Sequence, residues 1–319
     1  MKNIKKLPFI LTILSFFTIF SPANADIKVV ASIKPIHSLA SYLMDGVGKP
    51  DLIVDGYASP HGFAMKPSHA KMLQNADLIF WVGEDIENFL EKPLKSIAKK
   101  AEKIELIEIK GLNKLEFRER NIFEEHDDHG HDEQKEHAHK EDKHDDHQEH
   151  ARGEHDPHIW LDPMNAKVIL SEMAEHLIEN DPKNASKYKS NLKKALKDID
   201  KLNKDVKKEL SKNAASIVFH DAYQYFEKRY GLNILGAFTV NTDVMPGAEQ
   251  LAEIREIIEH DKVTCVFSEP QFNPDIIKAV AKDMNIKTGV IDPLGATLVP
   301  GKDLYFDLIG NMSKSFKGC

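Results

Sequence analysis

Short apolar runs alternate along this chain with longer stretches whose apolar residues recur every three or four positions. In the first third, residues 27–31, 51–54, 78–82 and 104–109 read as strands, and 35–44, 66–76 and 86–99 read as helices between them. Pro35 suits the first turn of its helix, where a missing N–H costs nothing. The same rhythm returns after residue 211. Strands at 216–219, 234–238, 263–267 and 288–291 alternate with helices at 222–230, 248–260, 274–284 and 305–316. Alternation of this kind with short connections predicts βα units and mainly parallel sheets.

Two helices separate the halves. The first spans 165–180, with Val168, Ile169, Met173 and Leu177 near one face. The second spans 184–211 without Pro or Gly, and Leu192, Leu196, Ile199, Leu202, Val206 and Leu210 form its apolar stripe. At about 1.5 Å per residue it would be ~40 Å long, which suits a stiff strut better than a hinge. The expected class is therefore α/β: one lobe at 26–160, connecting helices at 161–211 and a second lobe at 212–319. Ligands of such open sheets bind beyond the C-terminal ends of the strands.

Residues 1–25 read as an address. Lys2, Lys5 and Lys6 precede an apolar run at 7–20, and Ala23-Asn24-Ala25 forms a small-x-small cleavage site before Asp26. The run has about 14 residues, short of the roughly 20 that a spanning helix needs. Removing 25 of the 319 residues leaves 294, enough for two domains, and no Cys follows the cleavage site to carry a lipid. The mature chain is expected in the periplasm.

Charge isolates one further segment. Residues 124–155 hold nine His, thirteen Asp or Glu and only four Lys or Arg, a net charge of −9 against −8 for the whole chain. With almost no apolar side chains it cannot offset the entropy of ordering, and a mobile loop is expected. His126, His129, His131, His137, His139, His144, His147, His150 and His155 make it an auxiliary metal-binding tract. The remainder is near neutral, so no nucleic-acid footprint is expected. The two cysteines, Cys265 and Cys319, would form a disulfide in an oxidising compartment, with two free thiols as the alternative.

Seven His lie outside that segment. His69 and His176 fall within helices, His260 near a helix end, and His37 in the first helix as a packed residue. His61 sits in a turn after strand 51–54, His158 just past the acidic loop, and His220 directly after strand 216–219. Those three lie on the expected ligand edge. Three neutral imidazoles and an oxygen suit tetrahedral zinc, and Asp292, ending strand 288–291, is the candidate fourth ligand or orienting group. Its alternative role is a cap or turn residue. Imidazoles bind only when neutral, so affinity should fall below about pH 6.5. No His-Glu-x-x-His and no Gly-x-Ser-x-Gly is present, which argues against an exported zinc hydrolase, and no catalytic residues are assigned.

The pieces Ala58-Ser-Pro-His-Gly-Phe, Lys66-Pro-Ser, Asn75-Ala-Asp, Trp81-Val-Gly, His158-Ile-Trp-Leu-Asp-Pro, His220-Asp-Ala-Tyr-Gln-Tyr-Phe, Ser268-Glu-Pro-Gln-Phe and Asp292-Pro-Leu-Gly occur in that order. Together they resemble the metal-binding (cluster A-I, or cluster 9) substrate-binding proteins of ABC importers, in their zinc branch. The resemblance spans nearly the whole mature chain. It implies two (β/α)4 lobes joined by a long rigid helix, metal in the cleft between them, and small movements on release. It implies a non-enzymatic monomer of a Gram-negative periplasm, with an inner-membrane permease and its ATPase as partners and Zn²⁺ as the transported ligand.

Carried over by motif, the resemblance makes His61, His158 and His220 the ligands and places Asp292 at the fourth position, which water may fill instead. Manganese and iron relatives carry a carboxylate where His220 stands, so the nitrogen-rich set favours zinc. The Cys265–Cys319 pair also fits the Gram-negative members. A manganese- or iron-binding member of the same fold is the main rival, and a surface adhesin is another. The His-rich loop would raise zinc concentration beside the site by tethering. Deleting 126–150 should therefore lower zinc-starved uptake; equal growth of mutant and parent at every zinc level would remove that role.

Overall fold

The computed structural model describes residues 26–118, 121–122, 154–210, 214–240, 242 and 246–319. The expected signal peptide, and every His of the acidic tract except His155, lie outside the described residues.

The first sheet is built from β1 (Val29–Ile33), β2 (Asp51–Val54), β3 (Leu78–Trp81) and β4 (Glu102–Glu105), with α1 (Lys34–Leu43), α2 (Pro67–Asn75) and α3 (Glu84–Ser96) as crossovers. Its order is β2-β1-β3-β4, and every pairing is parallel. All five residues of β1 and all four of β3 are buried, as central parallel strands covered on both faces must be. The apolar run at 104–109 divides between β4 and a 3-10 turn at Leu106–Glu108. There the N–H of Ile107 bonds the carbonyl of Val82 at 2.9 Å, and Leu106 and Ile107 stay buried. Burial was legible in that run, but the chain curls before the strand period is complete.

Two helices then cross the back of the molecule. Asp162 caps α4 (Pro163–Asn180), its carboxylate accepting from the N–H of Met164 at 2.8 Å, and Pro163 opens the first turn. The long α5 (Ala185–Glu209) buries Tyr188, Ala195, Ile199 and Val206 and leaves its lysines exposed. It packs along α4, α1 and the final helix. The Tyr188 hydroxyl donates to Asp181 at 2.7 Å, joining α5 to the end of α4.

The second sheet repeats the first with β5 (Ala215–His220), β6 (Asn233–Thr239), β7 (Cys265–Ser268) and β8 (Lys287–Val290). Its order is β6-β5-β7-β8, again parallel throughout. The helices α6 (Gln224–Tyr230), α7 (Ala248–His260), α8 (Asp275–Met284) and α9 (Leu304–Gly318) complete this lobe. The expected class is what the structure shows: α/β, with two parallel sheets. His220 is the last residue of β5 rather than the residue after it.

The acidic tract is tethered beside β6. Ile122 pairs with Gly236, and the N–H of Ala237 donates to Asn121 O at 2.8 Å. A Cβ on Gly236 would stand 2.6 Å from that same oxygen, so only glycine admits this approach. At the far end His155 pairs with Glu116.

Cys265, the first residue of β7, is bonded to Cys319, the residue just past α9, across a sequence separation of 54. The bridge joins the chain end to the second sheet. Replacing Cys319 with Ser should lower unfolding free energy by about 2–4 kcal/mol, read from urea denaturation without reductant. A midpoint equal to that of the parent would show that the bridge carries no stability.

Candidate metal centre

Parallel sheets place their loops at the C-terminal strand edge, and the site is assembled there from both lobes. His61 lies in the turn after β2, His220 ends β5, and His158 sits between the lobes, immediately before a 3-10 turn at Ile159–Leu161. One ring nitrogen from each falls within 4.8 Å of the others. Ring centroids stand 5.1 Å apart for His158 and His220, 5.5 Å for His61 and His220, and 5.9 Å for His61 and His158. They line a void of ≈ 10 Å³ walled by Ile86, Trp160, Phe272, Pro293 and Leu294, room for one water-sized occupant.

Two carboxylates orient two of the rings. His158 Nδ1 lies 2.7 Å from Asp156 Oδ1, which also accepts the His158 N–H at 2.9 Å. His220 Nδ1 lies 3.0 Å from Glu269 Oε1, just past β7. With Nδ1 engaged, Nε2 of each ring is left for the centre. His61 Nε2 and His220 Nε2 are buried with no hydrogen-bond partner. A buried nitrogen left in that state costs about 1–3 kcal/mol, which a bound cation would relieve.

The titration behaviour follows from this packing. Burial, then the charges of His220 and His158, push His61 well below the ordinary imidazole value of 6.5. Burial and His220 do the same to His158. Burial also pulls on His220, but Glu269, Asp221 and Asp156 together raise it above 6.5. Burial pushes Asp156 up to about 7, against the bond from the His158 N–H. Packing therefore favours the neutral ring in His61 and His158 and the charged ring in His220.

Asp292 does not join this cluster. Its Oδ1 accepts from Gln271 Nε2 at 2.9 Å and from the N–H groups of Leu294 and Gly295 at 3.1 and 2.9 Å. It thus organises the loop that walls the pocket, while its Oδ2 is buried without a partner. The turn-residue reading describes Oδ1, and Oδ2 retains a free lone pair. His155 stands outside the cluster, beside Glu154 at 3.9 Å. His69 donates its role to a cap, with Nδ1 accepting from the Lys66 N–H at 3.1 Å. His37 Nε2 lies 3.1 Å from Pro50 O, and His176 Nδ1 2.8 Å from Glu102.

Sequence reasoning missed Asp156 and Glu269. The first stands two residues before His158, and the second lies inside the motif Ser268-Glu-Pro-Gln-Phe directly past β7, where position at a strand end was an available signal. Cross-lobe bonds frame the pair. Tyr225 Oη donates to Asp156 O at 2.8 Å, Tyr305 Oη to Trp160 O at 2.8 Å, and Trp160 Nε1 to Pro293 O at 2.8 Å. Arg229 Nε donates to Asp162 at 2.7 Å.

Two parallel four-stranded sheets with a small pocket at their facing edges define a two-lobed α/β architecture that can hold a ligand between its lobes. The family model of zinc-uptake complex component A, periplasmic (ZnuA), matches residues 29–319, and the chain belongs to that family. It is 46% identical to the high-affinity zinc uptake system protein ZnuA of Brucella abortus (strain 2308) over 332 aligned positions, covering 100% of this chain and 99% of the relative. Identity to the protein of the same name from Yersinia pestis is 36%, covering 94% of this chain and 93% of the relative. Among solved structures, the periplasmic zinc-binding protein TroA from Treponema pallidum shares the fold at TM-score 0.72 and 17% identity, over 92% of this chain and 98% of that one.

Glu269→Gln and Asp156→Asn should each weaken zinc binding by about 10–100-fold, because each loosens a ring that presents Nε2. Chelator competition measures this, and unchanged affinity in both would mean that neither carboxylate positions its imidazole.

Proposed function

We propose that this chain captures Zn²⁺ in the periplasm and hands it to the permease and ATPase of an inner-membrane ABC importer, acting as a monomer and performing no reaction on its cargo. Membership of the zinc-uptake family supports this reading. Residues 1–25 serve as the leader that exports it.

The observation that carries the proposal is the convergence of three imidazoles from both lobes, His158 and His220 buried and His61 half-buried. Bonds of roughly 2.0–2.1 Å to a tetrahedral ion would draw the three nitrogens to separations of roughly 3.3 Å. Such a set favours zinc over manganese or iron, which prefer oxygen-rich sites. The fourth donor is an oxygen: Asp292 Oδ2, which has no protein partner, or water if Asp292 stays within its loop. With Asp292 Oδ2 as the fourth donor the site has no open position for an activated water, as a retention site requires. The His-rich tract at 124–155, entering beside β6 and leaving three residues before His158, would feed ions to the same cleft.

Metal competition tests the proposal. Zn²⁺ should displace Mn²⁺ from the protein, and changing His61, His158 and His220 to Ala together, with the tract excised, should abolish tight binding. Preference for Mn²⁺, or tight zinc retention by that variant, would overturn the assignment.

The pH dependence has a definite sign. His61 and His158 are already neutral near pH 7, whereas His220 is held above 6.5 and must lose a proton from Nε2 as the metal arrives. Zinc binding should release protons, more of them as pH falls toward the raised His220 value, and affinity should fall about tenfold per unit below that value. Calorimetry in buffers of different ionisation enthalpy reads the proton count. Zero release would show that His220 is neutral in the empty site.

A further inference from the structure

Lys34 is the first residue of α1, directly past β1, and only 4% of its side chain is exposed. Four oxygens surround its ammonium: Gly295 O at 3.2 Å, Ala296 O at 2.8 Å, Leu298 O at 3.1 Å and Asp55 Oδ1 at 3.4 Å. Three of the four belong to one loop of the opposite lobe, the loop after β8. An ammonium has three N–H donors and no acceptor, so this is a near-complete match of donors to carbonyls. The loop is shaped to offer them. Leu298 N–H bonds Gly295 O at 3.0 Å, and Gly295 takes φ +70°, a left-handed turn that glycine adopts without strain.

The same loop carries Pro293 and Leu294 on the wall of the imidazole pocket. Asp292 holds it from within and Trp160 Nε1 holds Pro293 O, but Lys34 is the cation that reaches it from the first lobe. Asp55 is 62% exposed, so water can replace most of its share. The carbonyls of 295, 296 and 298 carry the hold. Lys34 touches none of the three imidazoles, and no metal ligand is assigned to it.

We propose that Lys34 is a cross-lobe clamp, a positioning residue whose ammonium gathers three carbonyls of loop 292–298 and keeps the pocket wall closed over its occupant. Opening the cleft on that side breaks three charge-assisted bonds together. The clamp therefore sets how long the cargo stays more than how fast it enters. Its effect on residence rests on the zinc reading above; the clamp itself does not, and is measured without metal.

Lys34→Met in the full mature chain keeps most of the volume and removes the charge. In metal-free protein, hydrogen exchange over 293–301 should rise about tenfold while β1, β3 and α5 keep their rates. In zinc-loaded protein, dissociation into excess chelator should speed about tenfold, with the association rate changed less than about threefold. Asp55→Asn should move neither readout by more than about twofold. If Lys34→Met does not fold, Lys34→Gln, which retains two donors, should show the same pattern at smaller amplitude.

Unchanged exchange over 293–301 would overturn the clamp, as would an increase spread evenly over the molecule. A loosened loop with unaltered zinc dissociation would overturn its link to residence. A loosened loop in a chain that binds no zinc would support the clamp and defeat the zinc reading alone.

Discussion

A ring nitrogen buried without a hydrogen-bond partner is unstable on its own, and this molecule brings such nitrogens together. His61 Nε2 and His220 Nε2 are sealed from solvent with nothing to bond, and the ring of His158 stands between them. Imidazoles free to turn would find water or a backbone group instead. They are not free to turn: Asp156 and Glu269 engage the other nitrogen of two rings, and apolar walls close the rest. Much of the fold follows from that constraint. Two parallel sheets must present their C-terminal edges to one another, and the segment between them must arrive with His158 at a fixed height. The stability of two well-packed lobes offsets the local cost of the unfilled centre.

That constraint also explains why the lobes are so heavily bonded to each other. A wide hinge would scatter the three rings, since one comes from each lobe and one from the segment between them. Instead, Trp160, Tyr225, Arg229 and Tyr305 bind across the junction, and α5 runs unbroken behind it. Polar bonds at 2.8 Å join elements of opposite lobes at this junction, and Arg229 adds one to Asp162 at the start of α4.

The sequence was informative wherever the cause was local. Short apolar runs and apolar repeats of three or four residues placed the strands and helices near their positions, because each depends on burial along its own stretch of chain. His61, His158 and His220 could be separated from the other histidines by their place at strand ends or loops on the expected ligand edge. What stayed hidden depends on partners distant in the chain. Glu269 is 49 residues from His220, and Lys34 is 261 residues from Gly295; no spacing rule relates them. Asp292 was legible as a residue at the right edge, but its division of labour between two oxygens was not. Whether an aspartate binds metal or holds a turn is decided by where the neighbouring N–H groups point, which only the folded loop fixes.

His220 is the least symmetric of the three rings. It shares a sheet edge with Glu269, while Asp221 and Asp156 lie close enough to favour its charged form despite complete burial. Beside a buried carboxylate such as Glu269 a positive charge on the ring is favoured, because an unpaired buried carboxylate is the costlier state. A proton and a cation would compete for the same ring nitrogen, so on the proposed reading retention weakens as acidity rises.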